Sequence, residues 1–129
     1  DPIPSRGLGD VYKRQHSWHL KNPIGQIHNQ QPGQAHTFHM DVINSYNNYI
    51  TDPKDKKTKV TRVFVFLNDW TAGQVIMAGT KIITGWKKGD VFWFDWYHVP
   101  HGTANFSRTN RMMLQITGET TPAFEKLIL

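Results

Sequence analysis

Thr61-Arg62-Val63-Phe64-Val65-Phe66-Leu67 is the stretch on which the fold turns. It is β-branched and aromatic, contains neither Gly nor Pro, and stops at the turn pair Asn68-Asp69. A run this short and this apolar reads as a strand. Successive side chains of a strand point to opposite faces, so Phe64 and Phe66 share one face and Val63, Val65 and Leu67 the other. Both faces are apolar, which places this strand at the centre of a sheet.

Working outward, the same punctuation recurs. Residues 24–30 and 35–41 form two further candidate strands on either side of Pro32-Gly33. Downstream come residues 73–78, 80–86, 90–96, 101–106 and 111–117, separated by Gly79, Lys88-Gly89, Pro100 and Thr109-Asn110. The polar stretch 44–58, broken at Asp52-Pro53, reads as a loop with one helical turn near residues 45–50. Only residues 122–129 suggest a short helix. Eight short strands in about a hundred residues predict an all-β sandwich or jelly-roll barrel.

Composition narrows the chemistry. The chain has 129 residues, the size of one domain, and a net charge of +5. Part of that charge lies in Lys54, Lys56, Lys57, Lys59 and Arg62, beside Asp52 and Asp55, which reads as a solvated loop rather than a nucleic-acid groove. There is no cysteine, which excludes disulfides, thiolate zinc sites and iron–sulfur clusters. Any metal must use imidazole and oxygen ligands, and seven histidines are available. No apolar run approaches the ~20 residues of a membrane span and no signal peptide opens the chain, so a soluble cytoplasmic protein is expected. Residues 1–15, DPIPSRGLGDVYKRQ, end in a segment that resembles a translated sequencing adapter. They are expected to be non-native read-through, with a flexible native terminus as the plain alternative, and the domain is taken as residues 16–129.

His39 and Asp41 stand two apart on a predicted strand and so face the same way. His101 follows Pro100 and opens a later strand. Two imidazoles and one carboxylate with open positions are the ligand set of non-haem iron(II) oxygenases. Taken singly, an H-x-D triplet also fits a solvated strand face, and a His after Pro fits a structural role; His98 is the rival. Arg111 starts the last strand among apolar neighbours, Met112, Met113 and Leu114. A buried arginine needs an anion, and its planar fork suits a carboxylate. A surface arginine at a strand start is the plain alternative, and Arg108 is the rival.

Together, Pro32-Gly33, His39-Met40-Asp41, Leu67-Asn68-Asp69-Trp70, Lys88-Gly89-Asp90, Pro100-His101 and Arg111 resemble the 2-oxoglutarate/Fe(II)-dependent dioxygenase superfamily, in particular its prolyl-4-hydroxylase-like members. The likeness covers residues 24–118. It implies a double-stranded β-helix, a cupin-like jelly roll of about eight strands. It also implies that His39, Asp41 and His101 bind Fe(II) and that Arg111 pairs with the distal carboxylate of 2-oxoglutarate. The implied reaction converts 2-oxoglutarate and dioxygen to succinate and CO2 while hydroxylating a small-molecule or peptide substrate, and an aspartate ligand argues against halogenation.

Two departures stand out. Many relatives carry Tyr three residues before the turn glycine, where this chain has Gln30, and Gln30 is therefore a candidate co-substrate contact. Many also carry a hydroxyl residue two positions after the arginine, where this chain has Met113. Relatives cover the outer face of the larger sheet with helices that precede the first strand. The chain is accordingly expected to be a fragment lacking them, with an exposed apolar patch on that face larger than the ~300–600 Å² usual for a soluble monomer. The region of Tyr46, Tyr49 and the basic loop reads as a mobile solvated insertion or a substrate cover. Trp70, Trp86, Trp93 and Trp96 read as packing residues.

Two other functions compete. One is a non-catalytic cupin-like module that binds a metal or ligand, which has no need of Arg111. The other is a zinc-dependent isomerase or hydrolase, which has no call for an arginine at the co-substrate position.

Overall fold

The computed structural model describes residues 19–40 and 60–128. Within them the chain forms β1 (Lys21–Gln30), β2 (Ala35–His39), β3 (Val60–Phe66), β4 (Gln74–Ala78), β5 (Lys81–Ile83), β6 (Val91–Phe92), β7 (His101–Asn105) and β8 (Arg111–Glu119), then α1 (Pro122–Ile128). Two antiparallel four-stranded sheets result, ordered β1-β8-β3-β6 and β2-β7-β4-β5. This is the expected all-β jelly roll, with a single short helix among the described residues. The stretch 61–67 does supply a central strand, β3, flanked by β8 and β6.

Alternation along β3 and β8 separates two cores. Phe64, Phe66 and Met113 point between the sheets and meet Ile76 from β4 and Trp86. The rings of Phe64, Phe66, Phe92 and Phe94 stack, and Phe66 lies against Trp86 at 4.2 Å between centroids. Val63, Val65, Leu114 and Ile116 point the other way.

That second face corrects an expectation. It is closed: Leu114, at its centre, is 0% exposed, and Leu20 and Phe124 pack into the same cluster. Leu20 comes so near β8 that a Cβ on Gly118 would lie 3.0 Å from its own Cβ. The short helix α1 and the residue before β1 thus cover the centre of a face expected to be bare, leaving Ile27 exposed at its rim.

The exposed apolar surface lies instead on the outside of the second sheet. Met77 stands opposite Ile82 on one side and Gly102 on the other, and Phe38 lies beside Gly102. Phe38 is 55% exposed and Ile82 63%. The next row, Ala35, Ala104 and Val75, is also uncharged.

Several bounds also differ. β1 starts at Lys21, three residues early, and takes Pro23 through a register shift between Lys21 and Ile24. β5 and β6 are shorter than residues 80–86 and 90–96. Past β6 the backbone bends, with Trp96 N–H bonded to the Phe94 carbonyl, so that Phe94 joins the aromatic core and Trp96 lies under the Arg62 guanidinium. Arg62 is no part of a solvated loop: it is half-buried on β3 and donates to Thr117 Oγ1. The rest of the expected basic loop, with Tyr46 and Tyr49, falls outside the described residues, as do residues 1–15. Among the described residues no helix is long and apolar enough to cross a membrane.

Candidate functional site

His39 ends β2 and His101 begins β7, and the two are direct partners across the strand pair. Their ring centroids are 4.5 Å apart. The His101 ring is 9% exposed and meets the edge of Phe94 at 5.0 Å. Each imidazole has its Nδ1 on a backbone carbonyl two residues back, Thr37 at 2.6 Å for His39 and Val99 at 2.9 Å for His101. A carbonyl only accepts, so both Nδ1 atoms carry a proton, which in the neutral ring leaves the lone pair on Nε2. Fixing the tautomer through a carbonyl in this way is how metal-binding histidines are usually oriented. Two neutral imidazoles so prepared fit a divalent metal of borderline softness such as Fe(II).

Asp41, the expected third ligand, lies outside the described residues. Among the described residues no group of three metal-ligating side chains converges. His98 is exposed on the loop before β7 and pairs with Asp95 at 2.9 Å, away from His39.

A register shift adds a third imidazole. Between His36 and His39 the β2–β7 pairing slips, His36 lying opposite Thr103 and His39 opposite His101. In a regular strand residues three apart face opposite ways; the bulge brings the His36 ring within 4.2 Å of His39. Gly102 makes room for it, since a Cβ there would lie 3.0 Å from the His36 carbonyl oxygen and 3.2 Å from the Phe38 Cα. Period-two reading of the sequence could not find His36, because a bulge resets the period.

Beside these rings a cleft of about 490 Å³ opens between β1 and the β2–β7 pair, lined by Gln30, Gln34, His36, Thr103 and Arg111 among others. Arg111 is 3% exposed. Its Nε donates to Gln30 Oε1 at 3.1 Å and its Nη1 to the Met113 sulfur at 3.4 Å. Neither partner is charged, and burial pulls the guanidinium down from the ordinary arginine range to about 10. Gln30 in turn donates from Nε2 to Thr103 Oγ1 at 2.9 Å. Arg108, by contrast, is exposed.

The structure therefore joins His39 to His101 and Gln30 to Arg111. The two pairs are linked through His36, which lines the cleft and stacks on His39, and through Thr103, which shares its strand face with His101. Such a site can bind a metal at one end and an anion at the other.

No protein-family model matches the chain, and no curated protein matches it in sequence. Solved structures resemble it in fold. A cupin domain of an XRE family transcriptional regulator from Enterobacter cloacae aligns with a TM-score of 0.52 at 10% identity, over 78% of this chain and 84% of that one. A predicted oxalate decarboxylase from Thermotoga maritima gives 0.51 at 15% identity, over 84% and 73%. The cupin domain of Cnp3 from Schizosaccharomyces pombe gives 0.51 at 8% identity, over 84% and 64%. At these identities the likeness is one of architecture: this chain has the fold of the cupin barrels, the double-stranded β-helix.

Proposed function

We propose that this chain is an Fe(II)- and 2-oxoglutarate-dependent dioxygenase that hydroxylates a small-molecule or peptide substrate. The observation that carries the proposal is Arg111, a buried guanidinium whose hydrogen-bond partners among the described residues are neutral, at a cleft that adjoins two tautomer-fixed imidazoles. A cation so placed calls for an anion, and a carboxylate matches its geometry.

His39 and His101 would hold the metal with Asp41. Arg111 would bind the distal carboxylate of 2-oxoglutarate, fixing which end of the co-substrate faces the metal. When bound, the metal supplies dioxygen activation coupled to decarboxylation of 2-oxoglutarate to succinate. The protein supplies orientation: the Thr37 and Val99 carbonyls hold the two rings. Phe94, packed against the His101 ring, excludes water from that side.

The test is anaerobic addition of Fe(II) and 2-oxoglutarate, read as a visible charge-transfer band, followed by air and assay of succinate. A band and succinate are expected. Arg111→Met should weaken 2-oxoglutarate binding by roughly 30-fold or more.

A second reading is a cupin-like module that binds a metal or ligand without turnover. The resemblance to cupin domains, one of them within a transcriptional regulator, favours it. It predicts binding in the same experiment and no succinate.

A further inference from the structure

Backbone pairing alternates along β8, and the alternation fixes which groups of β1 are open. The Met112 carbonyl accepts from the Leu67 N–H and the Met112 N–H donates to Asn68 Oδ1, so both groups of Met112 face β3. Arg111, Met113, Gln115 and Thr117 therefore turn their backbone groups toward β1, opposite Gln30, His28, Gln26 and Ile24. That leaves Gly25, Ile27 and Asn29 with N–H and C=O directed away from β8. β1 ends its sheet, and among the described residues no second strand pairs with it.

The cleft shows the same edge from within. Residues 26–30 line it one after another, and so do Gln34, Ala35 and His36 where β2 begins. Successive side chains of a strand cannot all face one cavity, so these walls are the free edges of β1 and β2. Sheets protect an open edge with charge, proline or a bulge. β1 has all three, in Lys21, Pro23 and the shift between Lys21 and Ile24, but only at its start. From Ile24 to Gln30 it carries no lysine, arginine, aspartate or glutamate. Side chains of both its faces are exposed there, Gln26 on one and Ile27 and Asn29 on the other.

We propose that this edge pairs with the same edge of a second copy, β1 running antiparallel to β1 about a two-fold axis at Ile27. In that register Gly25 stands opposite Asn29 of the other copy, and Ile27 opposite Ile27. Each of these pairs exchanges two backbone hydrogen bonds. On the outer face isoleucine meets isoleucine, and on the inner face Gln26 lies beside His28 of the other copy, which joins the wall of the cleft. Lys21 falls opposite Gly33, beyond the strand, so a chain of net charge +5 meets itself without facing like charges. An unrelated extended peptide would use the same backbone groups. The symmetry of the run about Ile27, apolar against apolar and polar against polar, selects a second copy.

The test is sedimentation equilibrium of the full chain over about 1 μM to 1 mM, with circular dichroism as the folding control. One strand pair is small beside the ~800 Å² per partner of a standard interface, so a weak, concentration-dependent dimer is expected. Ile27→Pro removes two hydrogen bonds at the axis and none to β8. It should weaken the dimer roughly 30-fold with the circular dichroism unchanged. Ile27→Lys and Ile27→Glu should each weaken it roughly tenfold, since like charges then stand opposite each other. Mixed in equal amounts, the two should associate about as tightly as the parent, because position 27 faces itself. Ile82→Lys should leave the dissociation constant unchanged. A parent that is monomeric across the range, an undiminished dimer in Ile27→Pro, or a Lys/Glu mixture no tighter than either variant alone overturns the proposal. So does a dimer abolished by Ile82→Lys, which would place the contact on the second sheet. A monomer whose Gly25, Ile27 and Asn29 amides resist hydrogen exchange overturns it as well, since the chain would then cover its own edge. Should Ile27→Pro fail to fold, the Lys and Glu variants decide alone.

Discussion

A guanidinium withdrawn from water, with a glutamine oxygen and a thioether as its hydrogen-bond partners, works against folding. A cation whose folded pKa is lowered is disfavoured in its charged form, so Arg111 subtracts stability at all pH values below about 10. The deficit shrinks only as the pH climbs from there toward the ordinary arginine range. Burying the guanidinium without a counter-charge costs on the order of 3 kcal/mol, from which the loss of Gln30's partner takes back roughly 1–3. Arg111→Met should hence be as stable as the parent or up to about 2 kcal/mol more stable in urea unfolding at pH 7, while losing anion binding. Arg108→Met, at an exposed position, should change neither. A marked loss of stability in Arg111→Met would mean that the cation has an internal counter-charge. At the proposed metal end, replacing His101 by Ala should reduce Co(II) affinity measured by visible absorption, and Asp41→Ala should do the same with the fold retained. Retained affinity in either variant would remove that residue from the ligand set.

At the scale of the strands, the bulge in β2 is the feature on which the site depends. Gly102→Val would press a side chain against the His36 carbonyl and the Phe38 Cα, backbone atoms that cannot step aside. A destabilisation of about 1–3 kcal/mol is expected from overpacking, with metal affinity falling more than the melting temperature alone explains. Leu114→Ala, remote from the site, should cost about 2–5 kcal/mol and leave metal affinity intact. The contrast shows what the sequence made legible. Strand order and type could be read because Val, Phe and Ile alternate cleanly and Gly, Pro and Asn mark the turns. The inward direction of Arg111 and Met113, with Leu114 and Ile116 outward, followed from period two alone. His36 and Thr103 were not legible, since one depends on a register slip and the other on which strands pair. The cover over Leu114 was also missed, because it comes from one leucine before β1 and one phenylalanine in a two-turn helix. β5 and β6 were overestimated because aromatic residues that look like strand formers are used here to turn corners into the core.

On the scale of the whole molecule, Phe38, Met77 and Ile82 form a row of exposed apolar side chains on the second sheet among the described residues. An apolar row across a sheet bordered by the edge strands β2 and β5 favours association. Ile82→Lys should raise the soluble fraction and lower light scattering at equal concentration, whereas a lysine at exposed Arg108 should not. The site has a different relation to the two layers. Its imidazoles belong to β2 and β7 in one sheet, while Arg111 belongs to β8 in the other. A ligand that spans from the proposed metal end to Arg111 would consequently be a further clasp between layers that already meet through side-chain packing and the Gln30–Thr103 hydrogen bond. Occupancy at a hundred times the dissociation constant adds about 2.7 kcal/mol to the folded state. Because the clasp joins both sheets, that increment should appear as slowed amide hydrogen exchange in β8 and β7 together, so that two layers able to open separately when empty open as one when the site is filled.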